Sequence, residues 1–338
     1  MTKPPIGIAG VGSYLPEKTI DAWEAVAPTR ISREKFDSIG ARVLHVCAPG
    51  EQPSDMAVTA CRRALENAQI SADQVDCILY CGSVKDHTRW QAAAKVQDDL
   101  GCKESFVLDI YQGCNGQNMA MLTARALMRD DLDVDTVLIC AAERWDHCLT
   151  HRILGDSFIF GDGASAAVLR RGHPRLRLLS SACRTWGEHH ESFCIPDLGA
   201  AIPLTPEVIA RGGHLFQFYR PRYKTREEVL AFAAEVNRGA REMVELACRR
   251  AGVGREDIRF VITINASRKH NQHLLRALGL ADRPSTVDFV AETGHLGTGD
   301  IFYNLERALA GRLFQPEDLV LFYTGGGGYT WAATLVRA

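Results

Sequence analysis

No run of apolar residues in this chain is long enough to cross a membrane as a helix, which argues against an α-helical membrane protein. The opening Met1-Thr2-Lys3-Pro4-Pro5 lacks the basic and apolar blocks of a secretory signal. No pair of cysteines stands in a CxxC spacing, and the 11 cysteines are odd in number and scattered. A disulfide framework is therefore not expected; reduced thiols in a cytoplasm are. A strong charge of either sign is also missing. With 39 Lys and Arg against 41 Asp and Glu, the net charge of −2 gives no global field toward nucleic acid or an anionic membrane surface. The 11 histidines are dispersed, and His189-His190 and His147/His151 lack cysteine or carboxylate partners at ligand spacing, so no metal site is expected. What is present is ordinary for a soluble enzyme-sized chain. Its 338 residues are 46% hydrophobic and 24% charged, enough for one large or two medium domains with a substantial core.

The most informative stretch is Asp109-Ile110-Tyr111-Gln112-Gly113-Cys114-Asn115-Gly116. It joins a β-forming run, Phe106–Tyr111, to a helix-forming run, Gln117–Met128, and so sets Cys114 at the start of a helix. Free backbone N–H groups and the peptide dipoles favour a thiolate there. Gly113 and Gly116 allow a sharp turn and leave room for a substrate. The plainer alternative for one such cysteine is a buried small hydrophobe.

The chain also repeats itself. Before residue 172 come a strand over 6–13, a helix near 57–68, a strand over 77–81, the Cys114 strand–helix unit, and strands over 136–140 and 164–170. After it come a strand over 175–184, a helix near 238–251, a strand over 260–265, a strand–helix unit over 286–310, and strands over 319–323 and 330–337. Ala60-Cys61-Arg62-Arg63-Ala64 is echoed by Ala247-Cys248-Arg249-Arg250-Ala251. This order predicts an α/β protein of two pseudo-symmetric halves, 1–172 and 173–338, with mostly parallel sheets covered by helices. Equivalent strand–helix junctions then meet at the centre, one carrying Cys114 and the other His295. Two stretches fall outside the repeat. Residues 14–56 form one insertion. Residues 184–236, with Trp186, His189, His190, Phe193, Phe216, Phe218, Tyr219 and Tyr223, form another, expected to shape a pocket.

The opening Ile8–Lys18, the loop Phe160-Gly161-Asp162-Gly163-Ala164 and the closing Gly326-Gly327-Gly328-Tyr329-Thr330-Trp331 together resemble the thiolase superfamily. Within it they resemble the ketoacyl-acyl-carrier-protein synthase III-like proteins. The resemblance spans nearly the whole chain and implies a five-layered αβαβα core of two βαβαβαββ halves. It puts the family nucleophile on Cys114, which takes an acyl group from a thioester, and the oxyanion hole on the backbone N–H groups of Cys114 and Gly327. The chain departs from the family pattern in one respect. Asn265 stands where the family carries its histidine, and His295 stands where it carries its asparagine. In condensing members those two residues hold the thioester oxygen of a malonyl extender while carbon dioxide leaves.

The run Gly294-His295-Leu296-Gly297-Thr298-Gly299-Asp300 offers a different chemistry. A carboxylate five residues past the imidazole can curl back to Nδ1–H, fix the tautomer and equip Nε2 to take a proton from an alcohol or amine. Asp300 is otherwise a helix N-terminal carboxylate, and Asn265 is then the candidate third member. This pattern resembles the acyltransferase branch of the synthase III-like proteins found in antibiotic pathways. The resemblance implies a homodimer with no cofactor of its own, its donor a carrier-protein or coenzyme A thioester and its acceptor a hydroxyl or amine of a sugar, cyclitol or polyketide. Arg268, Lys269 and Arg276 follow Asn265 and are candidates for carrier-protein docking; Arg220, Arg222, Lys224 and Arg226 form a second basic cluster without an assigned role. Two other readings stay open: a decarboxylative condensing synthase, and a non-catalytic partner subunit of a synthase heterodimer, which would need neither Cys114 nor a histidine.

Overall fold

The structure, a computed structural model, describes residues 4–130, 133–155, 157–200, 202–218 and 225–338. Arg220, Arg222, Lys224, Tyr219 and Tyr223 lie outside the described residues. Nine strands carry the fold: β1 (Ile6–Tyr14), β2 (Cys77–Tyr80), β3 (Phe106–Asp109), β4 (Thr136–Glu143), β5 (Gly163–Arg171), β6 (Arg177–Thr185), β7 (Ile258–Thr263), β8 (Leu319–Gly326) and β9 (Thr330–Arg337). Their order across the sheet is β7-β8-β9-β6-β1-β5-β4-β2-β3. Strands before residue 172 fill one side and later strands the other, in mirrored order. The two sides meet through a single paired position, Gly7 with Arg177, so they act as two sheets sharing a seam. The inner strands are mostly apolar, β2 and β4 being buried along their whole length, as suits strands covered on both faces.

Six helices complete the layers: α1 (Pro53–Ala68), α2 (Ala92–Leu100), α3 (Gly116–Asp130), α4 (Arg226–Ala251), α5 (Arg268–Leu278) and α6 (Asp300–Ala310). α1 and α2 pack on the outer face of the first sheet through Ala60, Cys61, Ala64 and Val96. α4 and α5 cover the outer face of the second through Val244, Ala247 and Leu275. α3 and α6 lie between the sheets, where Met121, Ala124, Phe302 and Leu305 join β-strand residues of both halves in one core. The result is the five-layered αβαβα arrangement of the thiolase fold.

Three expectations change on contact with the structure. The sheets are not mostly parallel: β7–β8, β2–β3 and β2–β4 pair parallel, while the other five pairings of the main sheet are antiparallel. The strand awaited near Thr286 shrinks to one bridge between Val261 and Ser285. Pro284 has no N–H to offer a ladder, and the Thr286 hydroxyl accepts the Thr263 N–H at 3.1 Å in place of a strand carbonyl. α4 begins twelve residues before 238, at Arg226, because Thr225 and Glu228 form a capping box there. Gly239 sits inside α4 without ending it, and a Cβ there would stand 2.6 Å from the Trp331 ring; its absence lets helix and sheet close up. The insertion over 14–56 forms a buttress behind the site: Phe36, Ile39 and Leu44 pack on Ile159 and Val290.

Candidate active site

Both central helices start at the middle of the molecule, and each is preceded by a turn of 3₁₀ helix. Gly113–Asn115 leads into α3 and Gly297–Gly299 into α6. Gly113 has φ 50° and Gly297 φ 60°, a left-handed backbone that lets each chain turn from its strand or loop into its helix. At Gly297 a Cβ would also meet Trp145 and Glu143 within 2.8 Å. These turns bring together residues 181 apart in sequence: Cys114 Sγ lies 3.2 Å from His295 Nε2. On the other side of the ring, His295 Nδ1 is 2.5 Å from Asp300 Oδ2. His295 and Asp300 are both fully buried.

Asp300 accepts more than the imidazole. Its Oδ2 takes the backbone N–H of Asn265 at 2.6 Å and its Oδ1 that of Leu296 at 2.8 Å. These donors fix the carboxylate in place against Nδ1. Burial pushes the His295 pKa down, but the charge of Asp300 and that of an ionised Cys114 outweigh it and raise the value from 6.5 to about 10. Cys114, His295 and Asp300 thus form one line of contact with the imidazole between sulfur and carboxylate. Elsewhere, burial pushes the thiols up: Cys77 and Cys148 to about 12 and Cys102 to about 11.

Asn265 is at the site by its backbone alone. Its side-chain Nδ2 donates to Thr293 Oγ1 at 3.3 Å, and its Oδ1 accepts from Asn304 Nδ2 at 2.8 Å. The alternative of Asn265 as the third member does not hold: Asp300 already occupies Nδ1, and the Asn265 side chain is bound to Thr293 and Asn304. Gly327 lies in the turn after β8, its Cα 3.9 Å from where a Cβ of Gly113 would be. At Gly326, a Cβ would be 3.5 Å from Cys114 Sγ, so the glycine run lies directly against the nucleophile turn. Arg268, Lys269 and Arg276 lie on α5 and do not line the catalytic cavity. Arg268 is bound to Asp288 at 2.6 Å, while Lys269 and Arg276 are exposed.

Two residues without an assigned role tie the site together. Glu143, fully buried at the end of β4, accepts from Ser83 N and Oγ, Val84 N and Thr298 Oγ1 at 2.7–2.9 Å. Burial pushes its carboxyl up in pKa while these donors pull it down, with burial the stronger. Thr298 Oγ1 also lies 3.2 Å from the Gly113 carbonyl, so Glu143 and Thr298 link the two catalytic turns. A carboxylate at the C-terminal end of a buried strand, where ligands of such sheets bind, was the sequence signal for Glu143.

The cavity above Cys114 has a volume of about 620 Å³. Thr185, His190, Phe193, Cys194, Ile195 and Phe216 of the 184–236 insertion line it; no described residue of 14–56 does. Trp186, His189 and Phe232 pack instead beside Trp331 and Tyr329. Phe158 and Phe160 wall the site on the imidazole side, their ring centres 5.1 and 5.0 Å from that of His295.

Comparison with known proteins matches residues 108–187 to the 3-oxoacyl-[acyl-carrier-protein] synthase III domain and residues 248–338 to the C-terminal domain of that synthase. The chain is 30% identical to the β-ketoacyl-[acyl-carrier-protein] synthase III of Paramagnetospirillum magneticum, over 98% of each chain. It superposes on the acyltransferase ChlB3 with a TM-score of 0.82 and 26% identity, covering 99% of this chain and 98% of that one. With the synthase III of Pseudomonas aeruginosa the TM-score is 0.79 at 21% identity, over 98% of both chains, a likeness of fold. The chain thus belongs to the 3-oxoacyl-[acyl-carrier-protein] synthase III family of thiolase-fold enzymes.

Proposed function

We propose that the protein is an acyltransferase that moves an acyl group from a carrier-protein or coenzyme A thioester, through an acyl-enzyme on Cys114, to a hydroxyl or amine of a small acceptor. A sugar, cyclitol or polyketide of secondary metabolism is the class of acceptor in view. The observation that carries this reading is the line Cys114 Sγ–His295–Asp300, with contacts of 3.2 and 2.5 Å. The Cys114 thiolate attacks the thioester carbonyl. The intermediate collapses and expels the donor thiolate, which leaves with the imidazolium proton. Acylation removes the negative charge of Cys114, so His295 loses one of the two partners that raise its pKa and is freed to act as a base. It then takes the acceptor proton as the acceptor attacks the acyl carbon, and collapse returns the thiolate–imidazolium pair. The N–H groups of Cys114 and Gly327 are the candidate oxyanion donors, worth roughly 3 kcal/mol each where preorganised.

The likeness to ChlB3 along nearly the whole chain supports the same reading. A homodimer is supported by β3, an edge strand of the sheet that leaves Phe106 and Leu108 exposed. The second reading, decarboxylative condensation, draws on the named activity of the Paramagnetospirillum relative. It needs an imidazole and an amide converging on one thioester oxygen, and here the Asn265 amide is bound to Thr293 and Asn304 instead. Product mass separates the two. After incubation with an acyl thioester and a panel of hydroxy and amino acceptors, transfer gives an acylated acceptor whether or not malonyl thioester is present. A product that appears only with malonyl thioester, with release of carbon dioxide, would sink the transfer reading.

A further inference from the structure

The mouth of the catalytic cavity is electrically one-sided. Among the described residues no aspartate or glutamate lines it, whereas Lys85, His87, Arg89, His147 and His190 all do. Lys85 is already neutralised, its Nζ 2.6 Å from Asp109 Oδ2. Arg89 keeps the remaining fixed charge: it is exposed, and among the described residues no carboxylate pairs with it. His87, His147 and His190 are exposed around it and bring ring N–H donors to the same rim. Deeper in, toward Cys114, the walls turn apolar and aromatic, with Trp145, Phe158, Phe160 and Phe193. A ligand that fits both ends has an apolar reacting portion and an anion at its far end.

We propose that this rim recognises a carboxylate on a small-molecule substrate of the transfer reaction, with Arg89 as its charge partner. The inference rests on the acyltransferase reading for the word substrate, and it names the chemical class that the site selects. One fixed cation, with imidazole N–H donors around it, matches a monoanion. A phosphate near two negative charges would call for a second cation, and Lys85 is spent on Asp109. The carboxylate belongs either to the acyl group or to the acceptor, since both enter this cavity.

The first test needs no turnover, so it stands apart from the fate of the acyltransferase reading. Alkylation of Cys114 by N-bromoacetyl-β-alanine and by its amide, followed by peptide mapping, compares a reagent with a carboxylate at its far end with a neutral one of nearly equal size. Arg89→Asn removes the charge, and asparagine tolerates the left-handed backbone of residue 89, φ 53°. The ratio of acid to amide rates should fall about tenfold in the variant, the effect of one partly screened charge on a carboxylate at the rim. An unchanged ratio overturns the proposal. The source is then read from matched pairs: succinyl- against butyryl-pantetheine for acylation of Cys114, and 3-hydroxybutyrate against its methyl ester for release of an acetyl group from Cys114. The carboxylated member should be preferred in one arm by the wild type, and Arg89→Asn should abolish that preference. Equal use in both arms, or an Arg89 effect confined to donors that carry the pantetheine phosphate, overturns the assignment.

Discussion

Opposed influences meet at His295. Burial disfavours its charged form, while the neighbouring Asp300 and Cys114 favour it and raise its pKa to about 10. Asp300 is the residue on which this balance turns, and all three of its contacts are donors: His295 Nδ1, Asn265 N and Leu296 N. Asp300→Asn offers one acceptor oxygen and a mismatched NH₂. Transfer should fall by roughly 10²–10⁴-fold, as for other orienting carboxylates. Because two backbone N–H groups share the same carboxylate, the variant should also lose about 1–3 kcal/mol of stability. Denaturant unfolding and kcat measured together check both. A stability loss with undiminished transfer would reduce Asp300 to a structural cap for the start of α6.

The elements that matter most are the two 3₁₀ turns, because catalytic distance depends on how they abut. Glu143 and Thr298 fix that contact. Glu143→Gln leaves one acceptor where four close donors converge, so the turns should loosen. The expected result is a kcat lowered by about 10-fold or more with KM little changed, the signature of a positioning residue rather than one that binds substrate. A rise in KM alone would contradict it. Much of this architecture was legible in the sequence: unbroken apolar runs mark the buried strands, and glycine beside a single cysteine or histidine marks the turns. Three features were not. The capping box that starts α4 at Thr225 lies in a stretch with no apolar periodicity strong enough to announce a helix. The strand near Thr286 looked complete because a hydroxyl that replaces a ladder carbonyl leaves the apolar pattern unchanged. The side-chain direction of Asn265 depends on Asn304, which is 39 residues away and meets it only once the second sheet has formed.

At the scale of the whole molecule, the duplicated halves convert a repeat into a site. Neither half holds more than a fragment: the first supplies Cys114 and Glu143, the second His295, Asp300 and the glycine turn 325–328. Packing α3 and α6 side by side in the central layer joins them, and the shared core through Met121 and Phe302 is what keeps a 3.2 Å contact between distant segments. Among the described residues no helix is long and apolar enough to cross a membrane. The account stands or falls on His295 as the base that discharges the acyl-enzyme on Cys114. Single-turnover intact-mass analysis of His295→Ala tests that most directly. Acyl-Cys114 should still form, and its transfer to the acceptor should slow by roughly 10²–10⁴-fold, the usual contribution of a general base. Normal transfer, with only the formation of the acyl-enzyme impaired, would contradict it.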